Sequence, residues 1–243
     1  MKLFRLLRLG RVDYAESLQL QQQLVSLRKE DRIGDVLVLL EHPPVITLGR
    51  NSHRENIVAS DALLRQRGVT LHEINRGGDV TYHGPGQLVG YPIIDLRGDL
   101  AGKTGPHLGA VEYVRRLEQV LIRTCAEYGV VTDRIPGRTG VWTLPIGSAQ
   151  ERKIAAIGVH ISRAVTSHGF ALNVTTDLRD FDLIVPCGIN DRDVTSLEEE
   201  VDTRVRPTPS LDDVANATAR SFGAIFGGQM LFAESVEELL EDS

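Results

Sequence analysis

The sequence predicts an α/β protein of the α+β type, a mixed central β-sheet flanked by helices and organised as a single domain over residues 1–243. Three observations carry that expectation. Strand patterns follow one another as neighbours while helices are scattered between them, without the regular alternation of a doubly wound fold. The chain has 243 residues, 42% of them hydrophobic, enough to bury one sizeable core. The best candidate linker, 201–210 (VDTRVRPTPS), is only loop-sized, and no repeat of about 20–50 residues recurs.

Asp13 followed by Glu16 resembles a capping box, and Tyr14, Leu18, Leu24, Val25 and Leu27 suggest an amphipathic helix behind it. The apolar run 36–40 reads as a buried strand; His42-Pro43-Pro44 breaks it, and 45–48 resumes extended. A short helix over 61–67 ends at Gly68, with a strand over 69–74. Residues 87–96 form a strand after a glycine-rich loop. Pro106 opens the longest helix, whose stripe runs Val114, Leu117, Leu121 and Cys125. Turns follow at Pro136-Gly137 and Pro145-Ile146-Gly147. Residues 153–162 alternate, with Ile157, Val159 and Ile161 on one face and Gly158 and His160 on the other. A second such strand covers 169–174; a helix over 210–226 and an acidic tail close the chain.

The net charge is −6 and no basic stripe interleaved with aromatics appears, which argues against a nucleic-acid partner. The start MKLFRLLRLG resembles a signal peptide, but arginines at 5, 8 and 11 interrupt the apolar stretch. No run approaches the ~18 apolar residues of a membrane span. Two cysteines make no disulfide framework, so a reduced, cytoplasmic, soluble protein without membrane association is expected.

Four segments have the composition of a chemical site. In RGGDVTYHGPGQL (76–88), the Gly-Gly step lets backbone approach a ligand, and Arg76 is suited to an oxyanion. The bland alternative is a hairpin with a Gly-Pro-Gly corner. In KIAAIGVH (153–160), Lys153 heads a strand that carries a mid-strand Gly158. In HGFALNV (168–174), Gly169, Ala171 and Asn173 make a small-residue face that also suits plain sheet packing. In IVPCGIN (184–190), Cys187 sits in a turn, whereas Cys125 lies on a helix stripe as an inert core thiol. A free thiol is only about 3% thiolate at neutral pH, so a nucleophilic Cys187 needs a nearby cation. A Cys-His hydrolase using His83, His160 or His168 remains open at this point.

In order, RGG-xxTYHGPGQLVxYP, KIAxxG, HGxALNV and PCGI resemble the octanoyltransferases of lipoate biosynthesis, in the biotin/lipoate protein ligase superfamily. The resemblance covers most of the chain and implies the fold of those ligases. It implies an acyltransferase that takes octanoyl from octanoyl-acyl carrier protein and attaches it to a lysine of a lipoyl domain. The implied acceptors are the lipoyl domains of 2-oxoacid dehydrogenases and the glycine-cleavage carrier protein. It places the acyl thioester on Cys187 and the acid/base role on Lys153. Its substrate-lining stretches fall on Arg76, Gly77, Gly78, Asp79, Val80, Thr81, Tyr82 and His83, on Ala156, Ile157 and Gly158, and on Gly169, Phe170 and Ala171. No cofactor, metal or nucleotide is implied.

These roles cohere chemically. Ammonium at Lys153 stabilises a Cys187 thiolate, and neutral Lys153 later accepts the proton of an incoming amine. The oxyanion hole is expected from backbone N–H groups near Gly77-Gly78 or Gly188. Gly158, Gly169 and Ala171 are expected to wall an apolar slot, so that Gly158→Val impairs octanoyl transfer more than acetyl transfer. Arg115, Arg116, Arg134, Arg138 and Arg152 are candidate contacts for acidic partner proteins. The rivals are an ATP-dependent ligase on the same fold, a transferase between lipoyl domains and a non-catalytic acyl-chain binder.

Overall fold

The computed structural model describes residues 2–97, 107–144, 150–185 and 194–241. Its elements in chain order are β1 (Lys2–Arg11), α1 (Tyr14–Lys29), β2 (Asp35–Glu41), β3 (Val45–Leu48), α2 (Asp61–Gln66), β4 (Thr70–Glu73), β5 (Val80–His83) and β6 (Gln87–Ile93). The second half adds α3 (Ala110–Glu127), β7 (Thr132–Ile135), β8 (Arg138–Thr143), β9 (Lys153–Ser162), β10 (Val165–Asn173), α4 (Leu197–Glu200), α5 (Leu211–Phe226), β11 (Gly228–Ala233) and α6 (Val236–Glu241). Eight strands form one sheet in the order β11-β1-β2-β6-β10-β9-β8-β7. β1 runs parallel to β2 and β11, and the remaining pairs are antiparallel, so the large sheet is mixed as expected. β3, β4 and β5 make a separate three-stranded sheet that the sequence does not announce.

The continuous apolar run of β2 follows from burial on both faces. Leu37 and Leu39 pack with Leu117 and Leu121 of α3 and Val214 and Phe222 of α5; Val36, Val38 and Leu40 pack with Leu24 and Leu27 of α1. Helices therefore cover both faces of the large sheet. A third core joins Ile46 and Val80 of the small sheet to Phe181, Leu183 and Ile184.

Local chemistry sets several boundaries. The Asp13 carboxylate accepts from Ala15 N–H at the head of α1. Ser210 and Asp213 close a capping box on α5, which ends at a left-handed Gly227. Cys125 is fully buried on α3, and burial pushes its thiol up to about 12, as befits a core thiol.

Other boundaries differ from the sequence reading. α3 begins at Ala110; Pro106 lies outside the described residues, as does the Pro145-Ile146-Gly147 turn. β5 and β6 belong to different sheets, so the Gly-Pro-Gly corner between them is a crossover and not a hairpin. The 136–137 turn joins two paired strands, β7 and β8. The N-terminal segment is β1: Phe4 and Leu6 enter one core and Leu7 the other, while Arg5, Arg8 and Arg11 meet Glu238, Asp212 and Glu41. The tail is no loose acidic end, since β11 adds to β1 and Leu239 of α6 is buried.

At the crossover, Gly86 has φ 81°, and a Cβ there would lie 2.6 Å from the Thr175 backbone. Its carbonyl accepts from Val174 and Thr175. Gly86→Ala is expected to cost about 1–3 kcal/mol in urea unfolding through strain and overpacking. Gly34→Ala, where a Cβ meets nothing within 4 Å, is the control and should change stability far less.

Candidate active site

A cavity of about 380 Å³ opens where the 76–83 segment lies against β9 and β10. Its seat depends on missing side chains. Gly77 N–H donates to Val159 C=O on the edge of β9 at 2.9 Å, while Arg50 N–H and Asn51 N–H donate to the Arg76 and Gly78 carbonyls. A Cβ on Gly158 would lie 2.8 Å from Gly77 O and 3.0 Å from Arg76 Cδ; one on Gly49 would lie 2.4 Å from Gly78 O. Gly158 therefore makes room for the Arg76-Gly77 backbone. Gly158 also borders the cavity. The bond from Gly77 also consumes one of the N–H groups expected in an oxyanion hole.

Arg76 is buried, and its guanidinium donates to the Thr47 carbonyl (2.8 Å), the Thr47 hydroxyl and the Gly77 carbonyl. Of the residues expected to line a substrate site, Arg76, Gly77, Gly78, Asp79, Val80, Thr81, His83, Ala156, Ile157, Gly158, Gly169, Phe170 and Ala171 all border this cavity. Tyr82 does not. Strand alternation turns it into the third core, where its hydroxyl donates to Asp180 and its ring meets Phe181 edge-on.

Lys153 reaches the same cavity from the head of β9, its Nζ 4.7 Å from the centre of the Trp142 ring. Glu118, buried on α3, accepts from Arg115, Arg134 and Gly140 N–H, and so holds the β7–β8 hairpin beside Lys153. Cys187 lies outside the described residues, with Pro186 and Gly188. The described residues on either side are held in place. Val185 N–H donates to Asn56 C=O, whose side chain donates to Asp79; Val194 bridges to Lys153 and lines the cavity.

Tyr14, Gln87 and Tyr91 also line the cavity, and sequence reasoning does not single them out. The available signal was alternation along β6, which places Gln87, Val89 and Tyr91 on one face. Tyr14 stacks on His83 and packs against His42. His42 Nδ1 donates to the Val12 carbonyl, so Nε2 accepts from the Tyr91 hydroxyl at 2.8 Å. His168 Nε2 faces Asn75 Oδ1, and its backbone N–H donates to Gln21. Burial, helped by neighbouring Arg76, holds His168 down to about 4; burial also holds His42 down to about 4. His83 falls to about 3, through burial first and then His42. His160 is half-buried beside Arg50.

The five candidate arginines do not form a free basic patch. Arg115 and Arg134 converge on Glu118, Arg116 pairs with Glu112, and Arg152 pairs with Glu199 and Glu200. Arg138 lies over the Trp142 ring and borders the cavity. Among the described residues, no helix is long and apolar enough to cross a membrane, and no three His, Cys, Asp or Glu side chains gather as a metal set.

Residues 13–223 match the lipoyl protein ligase A/B catalytic domain, a span that holds both the Arg76 segment and Lys153. The chain belongs to that family. It is similar to the octanoyltransferase of Acidobacterium capsulatum, at 65% identity over 98% of this chain and 96% of that protein. It is likewise similar to the octanoyltransferase of Koribacter versatilis, at 56% identity over 98% and 90%. Its fold resembles a bipartite lipoate protein ligase from Thermoplasma acidophilum, with a TM-score of 0.72, 18% identity and coverage of 100% and 92%.

The buried histidines make stability depend on pH. Their folded pKa values lie below the ordinary 6.5, so the unfolded chain takes up protons first as pH falls. Stability is full above about pH 6.5 and drops towards pH 4, by up to about 1.4 kcal/mol per pH unit for each ring. Calorimetry at pH 7.5 and 5 should show a clearly lower midpoint at pH 5; equal midpoints would contradict neutral buried rings.

Proposed function

We propose that this chain is an octanoyltransferase that moves an octanoyl group from a carrier-protein thioester, through Cys187, to a lysine of a lipoyl domain. The observation that carries this reading is the meeting of three parts at one cavity. These are the Arg76 segment, Lys153 and Val194, the first described residue after the Cys187 segment. The match to the ligase A/B domain and the likeness to octanoyltransferases support it.

The cavity falls within the range of about 300–1,000 Å³ typical of small-ligand sites. Burying an octanoyl chain at about 0.8 kcal/mol per methylene contributes roughly 5 kcal/mol to binding. In the first step the Cys187 thiolate attacks the carrier thioester carbonyl. The new C–S bond replaces the old one, and Lys153 protonates the departing carrier sulfur. In the second step the acceptor amine attacks the acyl-enzyme. The N–C bond forms, the C–S bond breaks with its electron pair on sulfur, and Lys153 takes the amine proton. Exchanging a thioester for an amide is downhill, so the net reaction needs no ATP. The enzyme works in a reducing compartment, the cytoplasm, where Cys187 stays a thiol.

Mixing the protein with octanoyl-carrier protein in the absence of ATP is expected to add one octanoyl mass to the intact chain. Cys187→Ser should abolish the adduct, and Lys153→Ala should slow its formation by about 100-fold or more. No adduct on the unaltered chain would sink the proposal.

Because Gly158 accommodates the Arg76-Gly77 backbone, Gly158→Val is expected to reduce octanoyl and acetyl transfer alike, each by roughly tenfold or more. A loss confined to octanoyl would assign Gly158 to the chain slot instead. Steady-state rates with the two donors check this.

A further inference from the structure

A chain of buried amides runs from His83 to the backbone of Lys153 and fixes where the proton sits on the His83 ring. Thr195 N–H donates to Lys153 C=O at 2.9 Å. The Thr195 carbonyl can only accept, so the Asn173 contact at 2.9 Å must be made by Nδ2. Asn173 then turns Oδ1 towards Gln87, and Gln87 must answer with Nε2, at 2.9 Å. The same Nε2 reaches the Tyr82 carbonyl, a second acceptor that pins the amide in one orientation. Gln87 is left with Oε1 towards His83 Nδ1, at 2.7 Å. Nδ1 therefore carries the hydrogen, and Nε2 of the neutral ring is left as a lone-pair acceptor on a residue that borders the cavity. Two backbone carbonyls thus decide the tautomer of a side chain several bonds away.

The ring is also kept neutral, by burial first and then by the positive or protonatable groups His42, Arg76 and His168. Tyr14 from α1, His42 ahead of β3, Arg76, and His168 from β10 surround it, and none offers a carboxylate. Such a ring is a poor proton carrier and a good fixed acceptor.

Resting on the acyl-transfer reading above, we propose that His83 Nε2 accepts a hydrogen bond from the attacking amine of the acceptor lysine, with Gln87 and Asn173 as the positioning residues that lock its tautomer. A neutral primary amine has two N–H bonds. One proton passes to Lys153 as the N–C bond forms and the C–S bond breaks towards Cys187. The other stays on nitrogen in the amide and points to His83, which aims the nitrogen lone pair at the acyl carbon. The thioester exchange has no N–H in play, so His83 discriminates between the two half-reactions.

Single-turnover kinetics test this. Self-acylation from octanoyl-carrier protein and transfer from the isolated acyl-enzyme to a lipoyl domain are timed separately. His83→Phe is expected to slow the amine step about ten- to a hundredfold more than self-acylation. Equal slowing of both steps, or of neither, overturns the assignment while leaving acyl transfer intact. A failure of the unaltered chain to form the acyl-enzyme overturns acyl transfer itself. Gln87→Glu supplies a finer readout. Its carboxylate still accepts from Nδ1–H but raises the pKa of the ring, and an imidazolium has no lone pair. The amine step should then gain a loss at low pH that the unaltered enzyme lacks; an unshifted profile counts against the proposal. Long-range 15N–1H spectra should show His83 protonated on Nδ1 at neutral pH, and protonation on Nε2 would overturn the tautomer argument.

Discussion

The hydrogen bond from Gly77 N–H to Val159 C=O joins the small sheet's loop to β9 of the large sheet, and both residues border the cavity. Two absent side chains permit it. At Gly158 and Gly49 a Cβ would meet the Arg76–Gly78 backbone at 2.8 Å and 2.4 Å. Close backbone approach of this kind fixes a loop more firmly than side-chain contacts do, because neither partner has rotamers to relax. Arg76 is carried with the loop and locked on Thr47, and its charge then bears on His83 and His168.

Tyr91, His83, Gln87 and Asn173 line the cavity, and hydrogen bonds among them and to His42 fix their orientations. His42, Tyr91, His83, Gln87 and Asn173 make bonds whose donors and acceptors follow from backbone carbonyls at the ends. Such a network is costly to rearrange in a low-dielectric interior, so it holds one geometry. Burial keeps the histidines neutral, which is why a Cys-His hydrolase using His83 or His168 as its base finds no support in their electrostatics. Within the proposed mechanism, proton transfer falls to Lys153, on the strand edge beside Trp142.

Elements defined by local pattern were legible. β9 alternates in sequence from Ile157 to Ile161, β2 is apolar because both faces are covered, and α5 carries its own cap and stop. Elements defined by distant partners were not. β1 and β11 pair across more than two hundred residues, and the arginines that spoil β1 as an apolar run are satisfied by acids elsewhere in the chain. The β9–β10 turn was hidden for another reason. Arg163 and Ala164 adopt φ of 50° and 66° without the glycine or asparagine that signals such a turn.

The sequence by itself determined the fold class, the family resemblance, and Lys153 and Cys187 as the residues to examine, because motif order and residue chemistry are linear properties. Only the tertiary structure decided which way Lys153 and the 76–83 segment face and what they touch. Alternation states that Tyr82 and His83 part company, but not which one meets the cavity; the core around Phe181 settles that. A mid-strand glycine states that something lies close, but not whether it is ligand or chain; at Gly158 it is the Arg76-Gly77 backbone. The proton on His83 is set by a carbonyl at Thr195, over a hundred residues away in sequence. Direction, contact and protonation are properties of neighbours in space, and folding alone chooses the neighbours.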